Sequence, residues 1–130
     1  MLKKGISTIM FVVLLLGCAG SAAQADSRTM TYYQLQELVY NHTADYILVD
    51  VRTAAEYESG HIPSAVLIPY DTIAADPPTA DKNALIILYC RTGRRAGIAY
   101  ETLRKMGYTN LVNFGAVSNW RGELTSGDTP

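Results

Sequence analysis

Ala84-Leu85-Ile86-Ile87-Leu88-Tyr89-Cys90-Arg91-Thr92-Gly93-Arg94-Arg95 is the stretch on which the reading of this chain turns. Its first half is a short, continuous apolar run, which suits a strand covered on both faces. Its second half is polar and leads into a helical run over residues 95–106, with Ile98, Leu103 and Met106 as the buried positions and Gly107 as the closing residue. Cys90 therefore falls at a strand end, just before a helix start. Backbone N–H groups of the loop and the first helical turn point at such a position, and Arg91, Arg94 and Arg95 crowd it. The positive helix end and the guanidinium groups favour a thiolate there. That is the setting of a nucleophilic cysteine that handles an anion. A buried structural thiol is the common fate of a cysteine ending an apolar strand, but the cationic run that follows is a poor neighbour for an inert core residue.

Working outward, residues 46–51 form another nearly continuous apolar strand, which ends at Asp50-Val51 just before Arg52. Thr31-x-x-Gln34 is a capping box that opens a helix with Leu35, Leu38 and Val39 on one face. Thr53-x-x-Glu56 is a second one, opening a short helix that stops at Gly60. Residues 65–68 read as a short strand ended by Pro69, residues 71–75 as a single helical turn, and residues 111–114 as the last strand. Trp120 lies in a turn over 117–121 and is expected to pack under the loop after Cys90. The lead-in 26–30 reads as an edge strand, and the tail from Thr125 reads as disordered. Strands and helices alternate, which predicts an α/β fold: a parallel, five-stranded sheet with helices on both faces. Ligands of such sheets bind at the carboxyl ends of the strands, where Asp50 and Cys90 both lie.

The chain's 130 residues suffice for one domain. Its first stretch reads as export signal rather than domain. Lys3 and Lys4 precede an apolar segment over 6–17, and Ala23-Gln24-Ala25 fits a signal peptidase site, giving a signal peptide at 1–25 and a domain at 26–130. Two other readings stay open. Leu15-Leu16-Gly17-Cys18 fits a lipoprotein signal ending before Cys18, although Leu16 is not the favoured residue at its place, and residues 6–25 fit an uncleaved anchor. All three carry the domain across the inner membrane, to the periplasm or cell envelope, with membrane contact only through an N-terminal lipid or anchor. From residue 26 on, nine basic residues face twelve acidic ones, for a net charge of −3. No basic patch suits nucleic acid, and the clustered arginines suit a small anion. Cys90 has no internal disulfide partner there.

Three blocks together resemble the single-domain rhodanese family of sulfurtransferases, over roughly residues 31–124. They are Val49-Asp50-Val51-Arg52 with Glu56-Tyr57 and Gly60-His61-Ile62-Pro63, then Tyr89-Cys90-Arg91-Thr92-Gly93-Arg94-Arg95-Ala96, then Gly107-Tyr108 with Val112 and Phe114-Gly115-Ala116-Val117-x-x-Trp120. Ser64 and Ala116 stand where the family usually has glycine. The resemblance implies an enzyme that passes sulfane sulfur from thiosulfate or a related small anionic donor to a thiol or cyanide acceptor, through a persulfide on Cys90. It implies that Arg91, Thr92, Gly93, Arg94 and Arg95 form the donor-binding loop, with Asp50, Arg52, Glu56 and His61 as support. Within that support, Arg91 is expected to turn inward onto Asp50, Arg52 to pair with Glu56, and His61 to be a hydrogen-bonded loop residue rather than a base. No metal or organic cofactor is implied, since no second cysteine or paired histidines stand at ligand spacing. A monomer is expected.

Two rival functions follow from the same residues. A cysteine phosphatase or arsenate reductase would need arginine six places after the cysteine, where this chain has Ala96. A sulfane-sulfur carrier, a redox-sensing domain or a binding module with little thiosulfate turnover would need only the intact Cys90 loop.

Overall fold

The structure is a computed structural model that describes residues 28–127. The expected signal segment, Cys18 and the last residues of the tail lie outside the described residues. Helix α1 (Tyr32–Asn41) is followed by β1 (Ile47–Asp50), α2 (Ala54–Ser59), β2 (Val66–Leu67), β3 (Ile86–Cys90), α3 (Arg94–Lys105) and β4 (Leu111–Ala116), then a 3₁₀ turn at Val117–Asn119. Both capping boxes form as the sequence predicts, with the Thr31 and Thr53 hydroxyls accepting from the Gln34 and Glu56 amides.

The strands pair in parallel in the order β2-β1-β3-β4. Among the described residues the sheet has four strands, not five. The described part of the lead-in makes one parallel bridge, Thr29 to Asn113 on β4, and on its C-terminal side α1 begins three residues later. Side chains alternate across β3 as the two-residue strand period requires. Ile87 and Tyr89 face a core shared with Leu35, Leu38 and Val39 of α1, Tyr57 of α2 and Trp120. Ile86, Leu88 and Cys90 face a second core with Ala96, Ala99, Tyr100 and Leu103 of α3. All five β3 residues are buried, so the apolar run was the mark of a strand covered on both sides.

Three local expectations fail for packing reasons. Ile98 is 39 % exposed and Met106 is only half-buried, because α3 turns Ala96, Ala99, Tyr100 and Leu103 to the sheet. Trp120 packs on α1 rather than under the Cys90 loop, its ring 5.2 Å from Tyr32 and 5.7 Å from Tyr40. The tail is pinned at its start: Thr125 exchanges two 2.8 Å backbone bonds with His61, and the Gly127 amide donates to the Glu58 carbonyl.

The strand order places the site. After β1 the chain moves to one side of the sheet, through α2 to β2; after β3 it moves to the other, through α3 to β4. The crevice between the carboxyl ends of β1 and β3 is thus the switch point where such sheets bind ligands. Asp50 and Tyr89 are register partners there, and Cys90 is the next residue.

Candidate functional site

Cys90 is the last residue of β3, paired with Ala116 of β4, and is fully buried. The loop after it turns at once. Gly93 takes φ +100°, a left-handed conformation that a side chain would strain, and serves as N-cap of α3. In that conformation its amide donates to Cys90 Sγ at 3.0 Å. Gly115 faces it across the loop at φ +87°, placed by a register shift in which Phe114 is the extra residue of β4. The Asn113 side chain accepts from the Gly115 amide and fixes that bulge. The sulfur therefore sits beneath a short glycine-turned loop, at the positive end of a twelve-residue helix.

Around it the charged groups sort differently from the expected pairing. Asp50 is fully buried, and its partner is Arg52 rather than Arg91. Arg52 Nε lies 2.9 and 3.0 Å from the two carboxylate oxygens, Nη2 donates at 2.7 Å, and the Arg52 amide adds a further bond at 2.9 Å. Nη2 also donates to the Gly60 carbonyl at 2.7 Å, tying the strand end to the turn after α2. Burial works against the Arg52 charge, but the Asp50 carboxylate outweighs it and holds the guanidinium above its ordinary pKa. Tyr89 completes this buried group. Its ring lies 5.7 Å from the Arg52 guanidinium carbon, and its hydroxyl accepts from the Ile62 amide. Burial, with the Asp50 charge second, pushes that hydroxyl's pKa well above its ordinary value.

Arg91 is exposed instead, because Arg52 is nearer to Asp50 in the chain and already inside. Arg52 in turn leaves Glu56 to Arg95. The two terminal nitrogens of Arg95 donate to the two oxygens of Glu56 at 2.7 and 2.9 Å, a bidentate pair joining the first turns of α3 and α2 across the crevice. The Arg95 hydrogen bonds pull the Glu56 pKa down to about 2. Glu56 in return raises Arg95, which also feels the charges of Cys90 and Asp50. Thr92 and Arg94 are exposed beside Arg91 on the loop rim.

His61 is buried and stacked flat on Tyr57, with ring centroids 3.7 Å apart. Its Nδ1 lies 2.8 Å from the Tyr57 carbonyl, which can only accept, so Nδ1 carries the proton. The structure brings together Cys90, Gly93, Arg95, Glu56 and Asp50 at the crevice. Among the described residues no cluster of His, Cys, Asp and Glu is arranged to hold a metal. Tyr89 and Gly115 stand in the resembling blocks without a site role expected of them, and Asn113 stands outside those blocks. Tyr89 carries a weak signal, as the residue before Cys90 on the strand face that Asp50 shares; the bulge behind Asn113 and Gly115 has none.

Comparison with known proteins agrees with this geometry. The sequence profile of the Rhodanese-like domain matches residues 31–123. The chain is 30% identical over 107 residues to the thiosulfate:glutathione sulfurtransferase of Saccharomyces cerevisiae, covering 72% of this chain and 77% of that one. It is 37% identical over 73 residues to the thiosulfate sulfurtransferase PspE of Escherichia coli, covering 55% and 70%. Among solved structures, a rhodanese-like domain protein from Staphylococcus aureus superimposes with a TM-score of 0.66 at 30% identity, over 78% of this chain and 99% of that one.

Proposed function

The chain belongs to the rhodanese-like domain family, and from that premise we propose that it is a sulfurtransferase working through a persulfide on Cys90. In the first half-reaction the Cys90 thiolate attacks the outer sulfur of thiosulfate or a related donor. The donor's S–S bond breaks and its electron pair leaves with sulfite, while a new S–S bond forms at Cys90. In the second, a thiol or cyanide attacks the terminal sulfur and the Cys90 thiolate is released. No general base is needed once the thiolate exists. The reading extends to place: with an export signal at its start, the domain works outside the inner membrane.

The observation that carries the reading is the Gly93 amide aimed at Cys90 Sγ at 3.0 Å, at the positive end of α3 and at the switch point of the sheet. The donor's oxyanion end is met by loop amides and by Arg91 and Arg94, both exposed on the rim. Burial of Cys90 protects a persulfide from water, and it also means that the surroundings of the sulfur must yield to admit a donor.

That burial favours one further reading, a sulfane-sulfur carrier that turns thiosulfate over slowly. Intact mass spectrometry before and after thiosulfate separates the outcomes, with Cys90→Ser alongside. A gain of one sulfur atom, removed by cyanide and absent in the variant, supports the transferase. A gain only from a persulfide donor supports the carrier. No gain from either refutes sulfur transfer at Cys90.

A further inference from the structure

The loop after Cys90 carries three arginines, and only Arg95 is in an ion pair among the described residues. Its partner Glu56 meets it fork to fork, with both terminal nitrogens on both carboxylate oxygens. That is the geometry in which arginine grips a sulfate, phosphate or sulfite group. An internal carboxylate thus occupies a cationic fork that feels the Cys90 charge, in a site that must take in and release an oxyanion.

Helix capping does not explain why residue 56 is charged. Glu56 closes the Thr53 capping box, accepting from the Thr53 amide and meeting its hydroxyl at 3.1 Å. Yet α1 builds the same box with Gln34, which makes the same two contacts with Thr31. A glutamine therefore suffices for the cap, and the carboxylate at 56 has its use at Arg95. The same capping contacts hold the carboxylate in place, so the fork is filled by a preorganised anion.

We propose that Glu56 is a built-in competitor for oxyanions: it withholds Arg95 from the ligand and sets how tightly the Cys90 loop holds anionic donors and the sulfite they leave behind. The proposal deepens the sulfurtransferase reading and rests on it for the identity of the ligand. Arg91 and Arg94 attract the donor from the rim. Arg95, neutralised, anchors α3 to α2 and does not add a third cation that would retain the leaving group. The pair also separates this loop from a phosphatase cradle, in which the arginine must be free to chelate the tetrahedral group.

Inorganic sulfate, which cannot donate sulfane sulfur, tests this without turnover. Its affinity would be measured by titration calorimetry at fixed ionic strength on the full protein, on Glu56→Gln, and on the double variant Glu56→Gln/Arg95→Gln. Glu56→Gln keeps the cap and frees the fork, and is expected to bind sulfate about tenfold more tightly, the value of one charge-assisted contact. The double variant is expected to return to within about twofold of the unmodified protein. In thiosulfate assays the single variant should show a lower KM, a lower kcat and stronger inhibition by sulfite. Unchanged sulfate affinity in a folded Glu56→Gln protein overturns the proposal, as does a gain that survives loss of Arg95. If the single variant does not fold, the double variant decides, since it buries no lone charge: sulfate binding lost there would show Arg95 to be a ligand already. A sulfate gain without any sulfur transfer would sink the function while leaving the competitor role in place.

Discussion

Replacing Asp50 with alanine should cost this protein a large share of its stability, because Asp50 holds Arg52 in the interior. The carboxylate is fully buried and holds Arg52, itself only 6 % exposed, through its side chain and its amide. Without Asp50 the guanidinium keeps one protein acceptor, the Gly60 carbonyl. Breaking a buried pair by removing one partner costs about 3–5 kcal/mol, because the other charge is left uncompensated. Domains of this size have about 5–15 kcal/mol in total. Each kcal/mol is about 4–8 °C in Tm, so a fall of at least roughly 12 °C is expected. Urea denaturation followed by circular dichroism gives the free energy directly. The decisive comparison is the double variant Asp50→Ala/Arg52→Met, which removes both charges and fills Arg52's space with an apolar chain. It should recover about 2 kcal/mol or more of the single variant's loss. A loss below about 1 kcal/mol in Asp50→Ala, or a double variant no better than the single one, would show that the pair's burial does not govern its energetics.

Other perturbations follow from the same geometry. Glu56 is lowered from 4.5 to about 2, so its pairing with Arg95 contributes stability above pH 4.5 that is lost as pH falls through about 2. With 28 % of its side chain exposed, the contribution is about 1 kcal/mol, and Glu56→Gln should flatten the acid limb of Tm against pH; parallel limbs would contradict this. Gly93→Ala meets only ordinary contacts, 3.7 Å from Gly115, so its cost is backbone strain of about 1–2 kcal/mol. It also displaces the amide from Sγ, so persulfide formation should slow more than the loss of stability explains, and an unchanged rate would count against the amide's role. Removing residues 125–130 deletes both His61–Thr125 bonds and the Gly127 bond, at about 1–3 kcal/mol. Hydrogen exchange at the His61 amide should speed up, and unaltered protection would mean the bridge is not formed in solution.

The elements were legible where a single local signal decides them. Two capping boxes fixed the starts of α1 and α2, and a five-residue apolar strand before a glycine-turned loop fixed the place of Cys90. The ion pairs were not legible, because the choice among Arg52, Arg91 and Arg95 for two carboxylates depends on how the strand ends and helix starts come together in space. Asp50 and Arg52 are two residues apart on a strand that ends at Asp50, so the chain can fold Arg52 back onto its own neighbour; sequence spacing does not show that turn. The bulge at Phe114 and the bridge at Thr125 are tertiary pairings with no local residue pattern behind them.

Strand alternation divides the site in two. Tyr89 belongs to the half-core of α1 and α2, and Cys90 to the half-core of α3. The sheet is thus a partition, with electrostatic ballast in one compartment and the Cys90 sulfur in the other. Of the ion pairs among the described residues, only Arg95–Glu56 joins helices from the two sides. Substitutions on α3 can therefore reshape what meets the sulfur without disturbing the buried charges that keep the fold standing. Drift toward new donors and drift in stability would then fall on separate sets of residues, with a single strut between them where the two histories must agree.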